Sequence, residues 1–261
     1  MRKLNSIFIE GAKNRSTFDG VCAGGRRQWR LSPTRVLHLQ RVDRVSNDLS
    51  SEAVQLGPAG LLGDLVIPAQ ALGLVLFVHG SGSSRKSPRN RGVASVLQQH
   101  HLATLLFDLL TEEEALDPSN VFDIELLARR TVQAIRWVEQ HPDARRYPLG
   151  LFGASTGAAA ALVASVQCGD QVKAVVSRGG RPDLAGAWLA QVRAPTLLIV
   201  GGLDTHVLSL NQQAMRHLTS SKRLEQVPGA GHLFEEPGAL SSVAAFATSW
   251  FEKYLTKERP S

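Results

Sequence analysis

From residue 52 onward, short runs that are apolar at every position alternate with longer stretches of helical period. The run 74–78 (LVLFV) has the length of a strand and no polar residue, and 103–107 (ATLLF), 149–152 (LGLF) and 196–200 (TLLIV) resemble it. A strand that is apolar on both faces belongs in a parallel sheet covered by helices on each side. The segments 172–176 (VKAVV) and 224–227 (LEQV) complete this set of predicted strands. Ahead of them, 53–56 and 61–67 flank Gly57-Pro58-Ala59-Gly60, which reads as a hairpin. Between the strands, 124–140 carries Ile124, Leu127, Ala128, Thr131, Ile135 and Val138 at helical spacing. The stretches 92–99, 156–167, 207–218 and 239–254 also read as helices, and 156–167 is alanine-rich, as suits a helix packed closely on a sheet. A hairpin followed by alternating strands and helices predicts one α/β domain over residues 51–257, with a mostly parallel central sheet and helices on both faces. Only 177–195 separates two of the strands at the place where a lid could be inserted. It holds one short helical piece, 184–192, so no large cap domain and a shallow, open pocket are expected.

Charge changes this picture only at the start of the chain. The 261 residues carry a net charge of +6. Residues 1–44 hold ten basic residues against Glu10, Asp19 and Asp43, a surplus of seven, so everything after them sums to −1. The basic character belongs to a leader, residues 1–50, which is expected to be disordered. The near-neutral body has no basic face to grip a phosphate backbone, so no nucleic-acid partner is expected. No stretch approaches the roughly 20 apolar residues of a membrane span, and no membrane partner is expected either. The chain is expected to be cytoplasmic, with an organelle address on the Arg-rich leader as the alternative. Two cysteines, Cys22 and Cys168, show no metal-ligand spacing, so neither a disulfide framework, a metal nor a cofactor is expected.

The chemistry is concentrated where predicted strands end. Gly153-Ala154-Ser155-Thr156-Gly157 follows the strand 149–152 at once and opens the helix 156–167. This is the G-x-S-x-G turn in its strand–turn–helix setting, in which a serine occupies a tight bend between small neighbours and its hydroxyl projects above the sheet. A serine hydroxyl needs a base to take its proton, and the base needs a carboxylate to orient it. Asp204 follows the strand 196–200, and His232, in Pro228-Gly229-Ala230-Gly231-His232, follows the strand 224–227. All three fall at the carboxyl ends of parallel strands, in the chain order serine, acid, histidine. The other reading of Asp204 is a cap for the next helix. His100, His101 and His141 fall within or at the ends of helices, and His206 and His217 lack a post-strand Gly-rich loop. The segment His79-Gly80-Ser81-Gly82-Ser83-Ser84 follows the strand 74–78. It offers oxyanion donors, with the backbone N–H groups of Ser81 and Thr156 as the expected pair and Gly82 as the substitute for Ser81. His79 is expected to be a hydrogen-bonded structural residue.

Together these residues make the chain resemble the α/β-hydrolase superfamily, over about residues 53–255. Phe77–Ser84 (FVHGSGSS), Phe107–Leu110 followed by Thr111-Glu112-Glu113-Glu114, and Ser177–Asp183 (SRGGRPD) make it similar to the dienelactone hydrolase-like group. That resemblance implies the α/β-hydrolase fold and hydrolysis of a small-molecule ester. Dienelactone hydrolases proper use a cysteine nucleophile. Ser155 stands in its place and directs the expectation toward an ordinary ester or thioester cleaved through an acyl-enzyme. An acyltransferase on the same triad, or a ligand-binding protein without catalysis, are the alternatives. Arg178, Arg181 and Arg85 are expected at the carboxyl edge of the sheet, where a positive rim would favour a carboxylate or phosphate on the substrate. The plainer expectation is that such arginines pair with Asp183 and Glu112–Glu114.

Overall fold

The structure is a computed structural model that describes residues 50–256. The expectations for the basic leader, apart from Ser50, and for residue 257 lie outside the described residues. Eight strands form one sheet: β1 (Ser51–Leu56), β2 (Leu61–Val66), β3 (Gly73–Val78), β4 (Leu102–Phe107), β5 (Leu149–Ala154), β6 (Val172–Arg178), β7 (Thr196–Gly201) and β8 (Lys222–Val227). Their order is β1-β2-β4-β3-β5-β6-β7-β8. The pairs β1/β2 and β2/β4 are antiparallel, and every pair from β4 to β8 is parallel. The five helices are α1 (Pro88–Gln99), α2 (Ile124–Gln140), α3 (Thr156–Cys168), α4 (Thr205–His217) and α5 (Ala239–Leu255).

The unbroken apolar strands feed two cores, because successive side chains of a strand leave by opposite faces. Leu74, Leu76 and Val78 of β3 enter one core with α2, α3 and Ala214 of α4. Val75 and Phe77 enter the other, with α1 and α5. Side-chain size sets how closely the layers approach. Gly150 of β5 admits the Phe251 ring of α5, which a Cβ there would meet at 2.6 Å. On the opposite face, the run Ala158–Ala161 is fully buried and lets α3 lie directly on the sheet.

The boundaries differ from the predicted ones in places with local causes. Helix α1 starts at Pro88, four residues before the predicted start at residue 92, because Ser87 caps it by accepting from Asn90 N–H and proline fits the first turn. The piece expected at 184–192 is a 3-10 segment, Pro182–Gln191, broken at Gly186, where φ is +53°. No large cap is present among the described residues, and the carboxyl ends of β3 to β8 open into loops that carry the candidate site.

Candidate active site

Ser155 sits between β5 and α3 with φ 51° and ψ −123°, a conformation that costs a non-glycine residue on the order of 1–3 kcal/mol. The surrounding structure holds it there. Its N–H donates to Arg178 O (3.3 Å), and its own carbonyl accepts from Ala158 N–H (3.1 Å) and Arg181 N–H (3.1 Å). Both flanking glycines are sterically required. A Cβ at Gly153 would lie 2.5 Å from Ala158 Cα, and one at Gly157 would lie 2.3 Å from the carbonyl oxygens of Val78 and His79.

Asp204 occupies the position before α4 but makes no capping bond with its side chain. Its Oδ2 lies 2.7 Å from His232 Nδ1. Backbone bonds bind the two loops together, from Gly202 N–H to Val227 O and from Leu203 N–H to Ala230 O, both 2.9 Å. Glu236 Oε1 accepts from Gly231 N–H (2.9 Å) and steadies the turn beside the histidine. Residues 178–181 link this pair to the serine. They hold the Ser155 backbone on one side, and on the other a Cβ at Gly179 would lie 3.6 Å from His232 Cε1. Fully buried Asn211 pins that segment, donating through Nδ2 to Gly180 O (2.9 Å) and Val207 O (2.8 Å). No hydrogen bond joins Ser155 Oγ to His232 among the described residues.

The two expected oxyanion residues meet, though not as two unoccupied donors: Ser81 N–H donates to Thr156 Oγ1 (3.0 Å). Gly82, with φ +65°, has open space where a Cβ would be. His79 is a structural residue. Its Nε2 accepts from Leu109 N–H (3.0 Å) and its Nδ1 lies 2.9 Å from Gly80 O, which requires the neutral Nδ1–H tautomer. Burial pushes its pKa below the ordinary histidine value, against smaller opposing contributions from Gly80 O and Asp108. Beside the 79–84 loop lies a cavity of about 270 Å³ whose apolar wall includes Leu109, Leu110, Ala115, Val121 and Leu127. It touches Ser81 and Gly82; neither Ser155 nor His232 lines it.

The three arginines differ in their partners. Arg85 is engaged by Asp108, with Nη1–Oδ2 at 2.5 Å and its backbone N–H to Oδ1 at 2.7 Å, and it lies 3.7 Å from Asp64. Arg181 grips Asp183 with two nitrogens, the partner that the plainer expectation named. Arg85 and Arg181 thus each have a carboxylate partner within the fold. Arg178 alone is buried. Its Nη2 donates to Asn90 Oδ1 at 3.4 Å, and its guanidinium lies 5.9 Å from the centroid of the Phe234 ring. Among the described residues, no group of three His, Cys, Asp or Glu side chains is placed to hold a metal ion.

Sequence reasoning missed Asn211 and Glu236. Asn211 lies on a helix face where only its complete burial distinguishes it, and burial is invisible in a single sequence. Glu236, four residues after His232, gives no signal without the turn that brings it back to Gly231.

Comparison with known proteins agrees with this architecture. The sequence model described as the dienelactone hydrolase family matches residues 112–256. A dienelactone hydrolase structure from Anabaena variabilis is 56% identical, covers 79% of this chain and 98% of its own, and superposes with a TM-score of 0.76. The protein Est1E from Butyrivibrio proteoclasticus, at 13% identity and a TM-score of 0.65, covers 78% of this chain and 98% of its own and shares the fold. Proteins from two strains of Mycobacterium tuberculosis, provisionally named phosphoribosyl transferase, are 55% identical over 215 residues. The match takes in 82% of this chain and 48% of theirs, so the chain spans about half the length of these relatives.

Proposed function

The chain belongs to the dienelactone hydrolase family, and from that premise we propose that it is a hydrolase that cleaves a small ester or thioester through an acyl-Ser155 intermediate. One observation carries this reading: a strained serine turn and an Asp204–His232 pair meet on the same four-residue segment, 178–181. His232 takes the Ser155 proton as Oγ attacks the carbonyl carbon, and Asp204 keeps the ring in the tautomer with Nδ1–H toward the carboxylate. The carbonyl oxygen gains negative charge and is met by Thr156 N–H at the start of α3, with Gly82 or Ser81 N–H as the second donor. If Ser81 serves, its N–H must be shared with Thr156 Oγ1 or released by rotation of that side chain. The imidazolium returns its proton to the leaving oxygen or sulfur. Water, deprotonated by the same ring, then frees the acid and restores the serine hydroxyl.

Acyl transfer to an acceptor other than water uses the same atoms and is the second reading. The name carried by the mycobacterial relatives belongs to longer proteins, of which the match takes in 48%, and the Ser155 turn offers acyl rather than phosphoribosyl chemistry to the part that corresponds to this chain. Turnover of p-nitrophenyl acetate is the direct assay. The wild type releases a p-nitrophenolate burst equal to the active-site concentration if deacylation is the slow step, and linear turnover if it is not. Ser155→Ala releases none above the background reaction. Equal release from both proteins would overturn the reading.

A further inference from the structure

Arg178 closes β6 on the face shared with Ala174 and Val176, toward α1 and α5. Its residue is only 9% exposed, yet among the described residues no carboxylate pairs with it. Its Nε and Nη1 are buried without a partner, and so is Nε of Arg89 on the first turn of α1. Arg89 pairs through Nη1 with Glu235 Oε1 at 3.0 Å. Arg89 thus has a carboxylate partner and Arg178 has none, so the two guanidinium groups together carry one positive charge in excess. Burial first, and then repulsion from Arg89, lower the Arg178 pKa to about 10, which still leaves it charged at neutral pH. A charge so enclosed is costly unless an opposite charge compensates it. The Phe234 ring offers a cation its face but no hydrogen-bond acceptor of ordinary strength.

We propose that Arg178 and Arg89, with Asn90, which accepts from Arg178, and the start of α1, form a binding site for one small oxyanion, a carboxylate or a phosphate group. Three unpartnered donor nitrogens on two side chains call for a ligand with several oxygen acceptors, and the surplus of one charge calls for an anion. The place links it to the chemistry. Arg178 O holds the Ser155 N–H, and Phe234 lies two residues beyond His232. An anion seated here would fix the start of α1 against the histidine loop. The anion is either a free ion or the acid end of the substrate. Only the second case rests on the serine-hydrolase reading.

Binding is measured first without reference to activity, by thermal unfolding of the full chain and of its Ser155→Ala variant, with phosphate replacing chloride at constant ionic strength. Both melt later as phosphate rises, by about 5–10 °C at a hundredfold excess over the dissociation constant, and the response saturates. Arg178→Met abolishes the response. Without phosphate it melts at or above the wild type, since an unpaired buried charge has been removed. Arg89→Gln keeps the response but shifts its midpoint about tenfold higher, the effect of losing roughly one charge-assisted contact. A wild type with no saturable response, or an Arg178→Met protein with the same response, would overturn the site. Kinetics then separate the two sources. If the substrate supplies the anion, phosphate raises KM for p-nitrophenyl hemisuccinate and leaves p-nitrophenyl acetate alone; a free ion shifts both alike. Failure of the serine reading would silence both esters and leave the melting result intact.

Discussion

At Ser155 the requirement of the proposed chemistry and the preference of the backbone oppose each other. A φ of 51° suits glycine, and serine is held there by donating to Arg178 O and accepting from Ala158 and Arg181 N–H. Ser155→Gly is therefore expected to be more stable than Ser155→Ala by about 1 kcal/mol, because alanine keeps the steric cost and glycine relieves it. Urea unfolding of the two inactive variants side by side measures the difference; equal stabilities would mean that the turn is unstrained. Asp204 is expected to act by orientation. Asp204→Asn should lower kcat by about 10³–10⁴-fold, because the amide favours the wrong histidine tautomer, while the melting temperature stays near that of the wild type, since the side chain caps nothing. A loss below tenfold would remove Asp204 from the proposed triad. Ser155, Asp204 and His232 stand out in the sequence because each follows a predicted strand within a few positions. The fate of the arginines was not legible there, since the sequence does not reveal that Asp108 and Asp64 meet Arg85.

The element that most shapes the site is the loop between β3 and α1. Gly80 lets it approach Ser155, whose Cβ a methyl group at that position would meet at 2.8 Å. His79 ties it to the start of the β4 loop through Leu109. Protonation of His79 would replace the Nε2 acceptor with a second donor and break that tie. Its folded-state pKa lies below the ordinary 6.5 because the ring is buried. The stabilisation is thus complete above pH 6.5 and is lost as the pH falls below that value toward the folded-state pKa, where the unfolded chain binds a proton that the folded chain refuses. Unfolding free energy measured from pH 7.5 to 5 should decline more steeply in the wild type than in His79→Gln; parallel declines would assign the acid sensitivity elsewhere. Element identity was read well where apolar periodicity governs, as in α2 and β3. The boundaries drifted where caps govern, as at Ser87-Pro88, and the 3-10 turns 114–116 and 120–122, too short to show a period, were not anticipated.

Across the whole domain, eight strands in the order β1-β2-β4-β3-β5-β6-β7-β8 bring residues 79, 155, 178, 204 and 232 to one edge of the sheet. Alternating strands and helices made a mostly parallel sheet legible in the sequence. The strand order was not, because the central runs are alike in length and composition, and their register is set by packing across both cores. The absence of a large cap among the described residues leaves His232 two-fifths exposed at its side chain, so a bulky reagent can reach the site. Labelling with a fluorophosphonate, read by intact mass and peptide mapping, tests the account most directly. One adduct per chain is expected on the peptide containing Ser155, abolished in Ser155→Ala and strongly slowed in His232→Ala. A folded wild type that remains unlabelled, or an adduct that persists in Ser155→Ala, would contradict it.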